Sequence, residues 1–303
     1  MTKEKLQKRH AYIRSLTGQV EEETSAVHPD RPDTLPQTDG PKILVFDIET
    51  APIDAWIWSL WNEVRTTDFI SSEWYALSWS AKWLGETETI TRTLIDYEGY
   101  KEDPKDDKDL MKDLWYLLDE CDLAIAHNGK KFDRRKVNAR FIMNGFPPPS
   151  PYKVVDTLLE ARKNFMFTSN RLGDLGVYLG VGTKEETGGF ELWKRCISGD
   201  LEAWSTMRRY NERDITLLED VYIALRPYMT SHPNIGVYQS ECQKACAKCG
   251  SHDIELVEGK TTPTSVSQFQ MYKCNNCGAF SRGRKNVLSK EKRDELLTGI
   301  SGQ

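Results

Sequence analysis

Apolar residues first concentrate at KILVFDIET, residues 42–50, where both faces of an extended chain are hydrophobic. That is the pattern of a strand buried in the middle of a sheet. Alternating stretches from Trp74 to Leu84 and from Thr87 to Ile95, with Gly85 and Glu86 between them, predict two further strands. A helical period from about Asp106 to Glu120 leads into a short strand, DLAIA, and a loop, HNGKKFD. A second helix is expected from about Asp133 to Asn144, stopping at the Gly-Phe-Pro-Pro-Pro break. Helical segments follow near Thr157–Asn164 and Arg171–Leu179, then a long helix over about Leu201–Leu225, closed by Pro227. Three strands, a helix, a strand and several helices predict an α/β fold, a mixed sheet flanked by helices.

Outside that span the pattern fades. Residues 1–40 are polar, with one short helical stretch from Lys5 to Leu16 and then EEETSAVHPDRPDTLPQTDG, which has no periodicity and reads as a flexible linker. The tail, residues 286–303, is charged and expected to be loose. This leaves an ordered domain over 41–232 and a smaller module over 240–285.

A net charge of −5 argues against a protein coated in basic charge, yet leaves room for a local nucleic-acid patch. No stretch is apolar for long enough to span a bilayer, so no membrane association is expected. The N-terminal segment lacks a signal peptide's apolar core, which points to a cytoplasmic protein. Seven cysteines then read as thiols or metal ligands, and five of them fall between Cys242 and Cys277.

Three features in the large domain carry chemistry. Asp47 and Glu49, two apart on a strand, project to the same side of the sheet. Two carboxylates leaving one buried strand repel each other and lose hydration, so a divalent cation is the usual compensation. Acids at a strand end that simply face water are the plainer reading. On the long helix, Trp204, Met207, Asp214, Leu218, Val221 and Leu225 form one inward stripe, which places Asp214 among apolar neighbours with Tyr210 one turn earlier. The alternative for Asp214 is pairing with Arg208, Arg209 or Arg213, which lie on other faces of the helix. Asp133 opens a helix directly after a strand, where sites are often built, although an ordinary first-turn acid suits that place too.

DIET at 47–50, HNGKKFD at 127–133 and YNERD at 210–214 together resemble the DnaQ-like, or DEDD, 3′–5′ exonucleases of the ribonuclease H-like superfamily. Tyrosine four residues before the last aspartate resembles the tyrosine subtype, and within it the proofreading domain of family B DNA polymerases. SNRLGDLGVYLGVGTK is also similar to the segment preceding the third motif there, and the likeness covers roughly Pro41 to Met229. The resemblance implies that Asp47, Glu49, Asp133 and Asp214 bind two Mg²⁺ or Mn²⁺ ions. It further implies that Tyr210 orients the attacking water and that Asn128 contacts substrate. Asp156, in VVDT, matches a frequent acidic position and is not taken as a ligand. The implied activity is phosphodiester hydrolysis at single-stranded 3′ ends, with DNA favoured by the nearest relatives. A nucleic-acid-binding scaffold and a structure-specific endonuclease on the same fold are the alternatives.

One departure from the family pattern is a run of six tryptophans between Asp54 and Trp83. Tyr75, Leu77, Trp79, Ala81 and Trp83 alternate as core residues would, whereas Trp56, Trp58 and Trp61 could stack on a terminal base.

In the small module, CAKCG and CNNCG are two CxxC knuckles, Cys246/Cys249 and Cys274/Cys277, each followed by glycine and separated by twenty-four residues. They predict a structural Zn²⁺ site, with IELVEG and SQFQMYKC as hairpin strands of a zinc ribbon. Cys242 is a substitute ligand, and Cys121 and Cys196 read as core thiols. From Cys242 to Lys285 seven basic residues face three acidic ones, an excess that suits phosphate contact. A protein partner through the ribbon is the other reading.

Overall fold

The structure is a computed structural model and describes residues 40–59, 61, 66–185 and 187–299. The expected helix from Lys5 to Leu16 and the linker after it lie outside these residues. Within them, the chain divides into two compact units, 42–222 and 223–299.

The first unit is built on a five-stranded sheet. Its strands are β1 (Ile43–Thr50), β4 (Ala76–Trp83), β5 (Ile90–Thr93), β6 (Leu123–Ala126) and β7 (Lys153–Asp156), in the order β5-β4-β1-β6-β7. β1 pairs antiparallel with β4 and parallel with β6, which makes it the central strand of a mixed sheet. Leu44, Val45 and Phe46 are accordingly buried on both faces. β2 (Asp54–Ala55) and β3 (Ile70–Ser72) make a separate two-stranded ribbon. β5 is shorter than its alternating sequence predicts, because Thr93 and Asp96 close a capping box that turns the chain into a 3-10 helix. β7 was not foreseen, since four residues after a proline-rich break give too short a pattern to read.

Helices cover both faces. α1 (Lys108–Glu120) packs Leu110, Met111, Leu114, Leu117 and Leu118 into the main core, and the Trp79 indole donates to the Leu110 carbonyl at 2.8 Å. α2 (Asp133–Met143), α3 (Thr157–Asn164), α4 (Leu172–Leu179) and α5 (Phe190–Ile197) follow, α5 being absent from the predicted pattern. α6 (Leu201–Leu225) has the predicted length and buries Trp204, Met207, Asp214, Leu218, Val221 and Leu225. It meets the sheet face that carries Asp47 and Glu49: Asn211 reaches Asp47, and Glu219 pairs with Lys82 and accepts from the Gly85 amide. A buried Arg140–Asp107 pair ties α2 to the start of α1, and the same carboxylate accepts from the Ala76 amide at the head of β4.

The second unit contains an antiparallel sheet in the order β10-β9-β8, formed by β8 (Ile254–Pro263), β9 (Gln268–Cys274) and β10 (Phe280–Asn286). β10 and a short helix, α7 (Lys290–Asp294), fall partly where a loose tail was expected. Among the described residues no helix is long and apolar enough to cross a membrane.

Candidate metal centres and active site

Strand pairing explains how the first acids are held. Asp47 sits opposite Ser80 and Glu49 opposite Ser78, and the register shifts just after Glu49. Both carboxylates therefore leave β1 on the face that α6 covers, where Asp214 comes down from the helix. One oxygen each from Asp47, Glu49 and Asp214 lies within 4.8 Å of the others. Asp133 is not part of that cluster. It lies beside it, buried, with its Oδ1 accepting from the Ile48 amide at 3.3 Å.

Burial raises all four acids, and repulsion within the group adds to it at Asp47 and Glu49. Asp47 is held well above the usual carboxylate range by burial first, then by Asp133, Glu49 and Asp214. Glu49 is pushed up to about 8 by burial and the Asp214 charge, against the lowering pull of Lys184 and the Trp193 indole. Burial takes Asp133 to about 7 and raises Asp214 as well. A divalent cation with oxygen ligands offsets such a cost. The donor set fits one: hard oxygens on two elements, with Asp214 Oδ1 buried and without a hydrogen-bond partner.

Two residues that the sequence did not single out complete the cluster. Asn211, fully buried between Tyr210 and Asp214, donates to Asp47 Oδ2 at 2.9 Å and accepts from the Ser78 hydroxyl at 3.1 Å. Its signal was a polar residue three positions before Asp214 on an inward face. Lys184, in the loop between α4 and α5, donates to Asp214 and, at 3.1 Å, to the Tyr210 hydroxyl. Asp214 thus takes its cation from a distant loop; the neighbouring arginines bind elsewhere, Arg208 at Asp96 and Arg213 at the Thr183 carbonyl. Only a contact between distant segments brings Lys184 there, and no local pattern announces it.

Tyr210 packs edge-on against Trp193, ring centroids 6.0 Å apart. Burial, followed by the Glu49 charge, raises its hydroxyl further above its ordinary range, so it remains a donor at neutral pH.

The loop HNGKKFD is held from behind by Asp156. That carboxylate accepts from the amides of Asn128 and Lys130 and also caps α3 through Leu159. Asp156 is therefore a backbone organiser. Asn128 has φ +70°, and among the described residues no other non-glycine has positive φ. Gly129 is confined differently: an added Cβ would stand 2.4 Å from that of Ala126. His127 bridges Thr157 and the Asn170 carbonyl, and burial lowers it to about 4.

Trp79 is buried, whereas Trp56, Trp58 and Trp61 are 77%, 91% and 79% exposed.

In the second unit, Cys246, Cys249, Cys274 and Cys277 bring their sulfurs together. Sγ–Sγ distances of 3.6 Å, for Cys246–Cys277 and Cys249–Cys274, approach the edge of about 3.8 Å that zinc–thiolate bonds of about 2.3 Å set in a tetrahedron. Backbone amides of Lys248 and Cys277 point at Cys246 and Cys274, and Gly250 and Gly278 take the left-handed conformations that close the two knuckles. Four soft donors in this arrangement fit Zn²⁺. Cys242 is exposed and outside the cluster, while Cys121 and Cys196 are buried in the first unit's core.

Residues 84–226 match the family model described as the RNase_H superfamily. The first unit has an RNase H-like fold. Among solved structures the chain is similar to the family B DNA polymerase from the hyperthermophilic archaeon Pyrobaculum calidifontis, with 15% identity over 63% of this chain and a TM-score of 0.42. The chain spans 26% of that polymerase's length. No curated protein matches. The RNase H-like domain supports a nuclease-type function.

Proposed function

We propose that the chain is a metal-dependent 3′–5′ exonuclease that removes nucleotides from single-stranded DNA ends. The observation that carries this reading is the convergence of Asp47, Glu49 and Asp214 from two distant segments, with Asp133 beside them, on one face of a central strand. Acids raised by burial and by one another gather at functional sites.

Asp47, Glu49 and Asp214 would hold one Mg²⁺ or Mn²⁺ ion, and Asp133 with the shared acids a second. Bound there, the ions supply a nucleophile at neutral pH and neutralise charge on the leaving 3′ oxygen. The remaining work belongs to the chain. Tyr210, kept protonated beside Asp214, would orient the nucleophile as a guide rather than a base. Lys184 holds that hydroxyl and places positive charge where a phosphate would gather negative charge. Asn211 fixes the Asp47 carboxylate, so the ligand set is oriented before substrate arrives. Asn128, at the head of the loop that ends in Asp133, contacts the strand. In the ribbon, the four cysteines would hold structural Zn²⁺, and its basic residues contact phosphates.

The test is digestion of 5′-labelled single-stranded DNA and RNA with Mg²⁺ or Mn²⁺, with Asp47→Ala as control. A ladder shortening from the 3′ end of DNA, absent in the variant, is expected. Cutting inside the strand, or no cutting by the wild type, overturns the reading.

A further inference from the structure

The two faces of the ribbon's three-stranded sheet differ in character. On β9, Tyr272 and Cys274 are buried, Cys274 among the thiols and Tyr272 with the Lys244 ammonium 5.1 Å from its ring centroid. Phe269, Met271 and Lys273 alternate with them, so they leave the side turned away from the cysteines. Strand pairing sets Phe280 of β10 beside Lys273 and Arg282 beside Met271 on that same side. Phe280 is 58% exposed there, and the Arg282 guanidinium lies 4.8 Å from the centroid of the Phe269 ring. The face holds a cavity of about 660 Å³, lined by Met271, Lys273 and Phe280 from β9 and β10 and by Glu255, Glu258 and Lys260 from β8.

Charge follows the same division. Residues 268–286, which form β9, its knuckle and β10, hold Lys273, Arg282, Arg284 and Lys285 and no acidic residue, in a chain whose net charge is −5. Glu255 and Glu258 are confined to β8. The β9–β10 side is thus a strip of cations with phenylalanine rings set among them, and β8 is its acidic border. Cations so placed complement a polyanion, and rings beside them complement flat π faces. Single-stranded nucleic acid offers both together. A duplex hides its base faces in its own stack, and an acidic protein segment offers charge without flat bases.

We propose that this face of β9 and β10 is a platform for single-stranded DNA, on which Phe280 stacks against an unpaired base while Lys273 and Arg282 hold the flanking phosphates. Arg284 and Lys285 extend its positive edge. The proposal goes beyond phosphate contact by the ribbon, and it rests on the exonuclease reading above for the choice of DNA. The platform grips a strand anywhere along its length and needs no end. Stacking accepts every base, so no sequence preference accompanies it.

The experiment uses the full zinc-loaded chain, without added Mg²⁺ or Mn²⁺, and a fluorescein-labelled single-stranded DNA circle, which has no 3′ end to enter an exonuclease site. Affinity is read by anisotropy against the same sequence as a duplex closed by short loops. Charge alone favours the duplex, whose phosphates are denser. The circle is nevertheless expected to bind about fivefold or more tightly, the worth of one stacked base. Phe280→Ala is expected to erase most of that preference without changing the salt dependence, and Phe280→Trp to restore it. Arg282→Gln is expected instead to lessen the slope of log affinity against log salt by about 0.7, the share of one phosphate contact on a single strand.

A duplex bound as tightly as the circle, or unchanged affinity in Phe280→Ala, overturns the platform. Poly-glutamate that displaces the circle as well, charge for charge, as unlabelled single strand overturns it too. An unchanged salt slope in Arg282→Gln overturns the phosphate contact. Zinc content at the wild-type level shows that a variant ribbon is folded. Should Phe280→Ala lose its zinc, Phe280→Leu decides: wild-type affinity there overturns stacking, and a loss that Phe280→Trp does not share supports it. Shortening of a 5′-labelled linear strand in Mn²⁺ is followed separately. The expected binding without that cleavage keeps the platform and removes the exonuclease; 3′ cleavage without the binding pattern does the reverse.

Discussion

The chain has two clusters suited to metal, and they stand in opposite relation to their surroundings. The carboxylates project from a sheet whose core is already complete without them, with Phe46, Trp79 and Leu114 fully buried. They weaken that fold, since burial raises Asp47, Glu49, Asp133 and Asp214, and like charge adds to it at Asp47, Glu49 and Asp133. The cysteines have almost no core behind them: Cys246, Cys274 and Ala279 are the buried residues of their own cluster, with Ile254 packed alongside. A fold that stands by itself can carry a costly, functional ion site. A module of about fifty residues needs its ion in order to stand.

The sharpest break between the two comes from removing acids. Asp47→Ala and Asp214→Ala are each expected to lower cleavage at least a thousandfold, because charge neutralisation worth several kcal/mol is lost. Both variants should remain folded, with melting temperatures at or above that of the metal-free wild type. Loss of activity accompanied by unfolding would give these acids a structural role instead. Next in size is the ribbon. Stripping zinc with a strong chelator, or Cys274→Ser, is expected to unfold residues of the second unit while the first stays protected from protease. A ribbon that keeps its protease resistance after zinc is gone, or purified protein without zinc, contradicts the site.

How much of this the sequence carried follows from the range of each interaction. β1 and α6 were legible because their burial is set by local periodicity: the stripe from Trp204 to Leu225 is buried residue for residue. The knuckles were legible because both ligand pairs are local. β7 and α5 were not, since each is short and owes its place to strands and helices far away in the chain. Within the candidate site, the carboxylates could be read from motifs, but their ordering could not. Lys184 reaches Asp214 across thirty residues and Asn211 reaches Asp47 across 164. Asp133 stands slightly apart from the other three acids, which spacing alone did not reveal.

The comparison also sets a pH dependence. Glu49 rises from its usual 4.5 to about 8, and Asp133 from 3.8 to about 7. An acid raised in the folded state binds its proton more tightly there than when unfolded. Its contribution is greatest below the unfolded value and is lost as pH climbs through the folded one. Metal-free protein is therefore expected to lose thermal stability between about pH 4.5 and 8. Added Mg²⁺ or Mn²⁺ restores it, more strongly at the alkaline end. Glu49→Gln should flatten this slope, with a gain of about 2–4 °C at pH 8 for each kcal/mol of repulsion relieved. Scanning calorimetry with and without metal checks it, and a metal-free melting temperature rising through this range would overturn the account.

The smallest expected effect concerns Asn128, whose backbone serves the fold and whose side chain is proposed to contact the strand. Its φ of +70° is tolerated by asparagine and glycine and strained for alanine by roughly 1–2 kcal/mol. Asp156 holds this backbone through the Asn128 and Lys130 amides, so the conformation is imposed from behind. Asn128→Gly is expected to melt close to wild type, and Asn128→Ala a few degrees lower. If the side chain contacts the strand, both variants should raise KM by a similar factor of about five, the worth of one hydrogen bond of roughly 1 kcal/mol. A raised KM in Asn128→Ala alone would locate the effect in the backbone, and Asn128 would then belong to the folding of the loop rather than to the substrate.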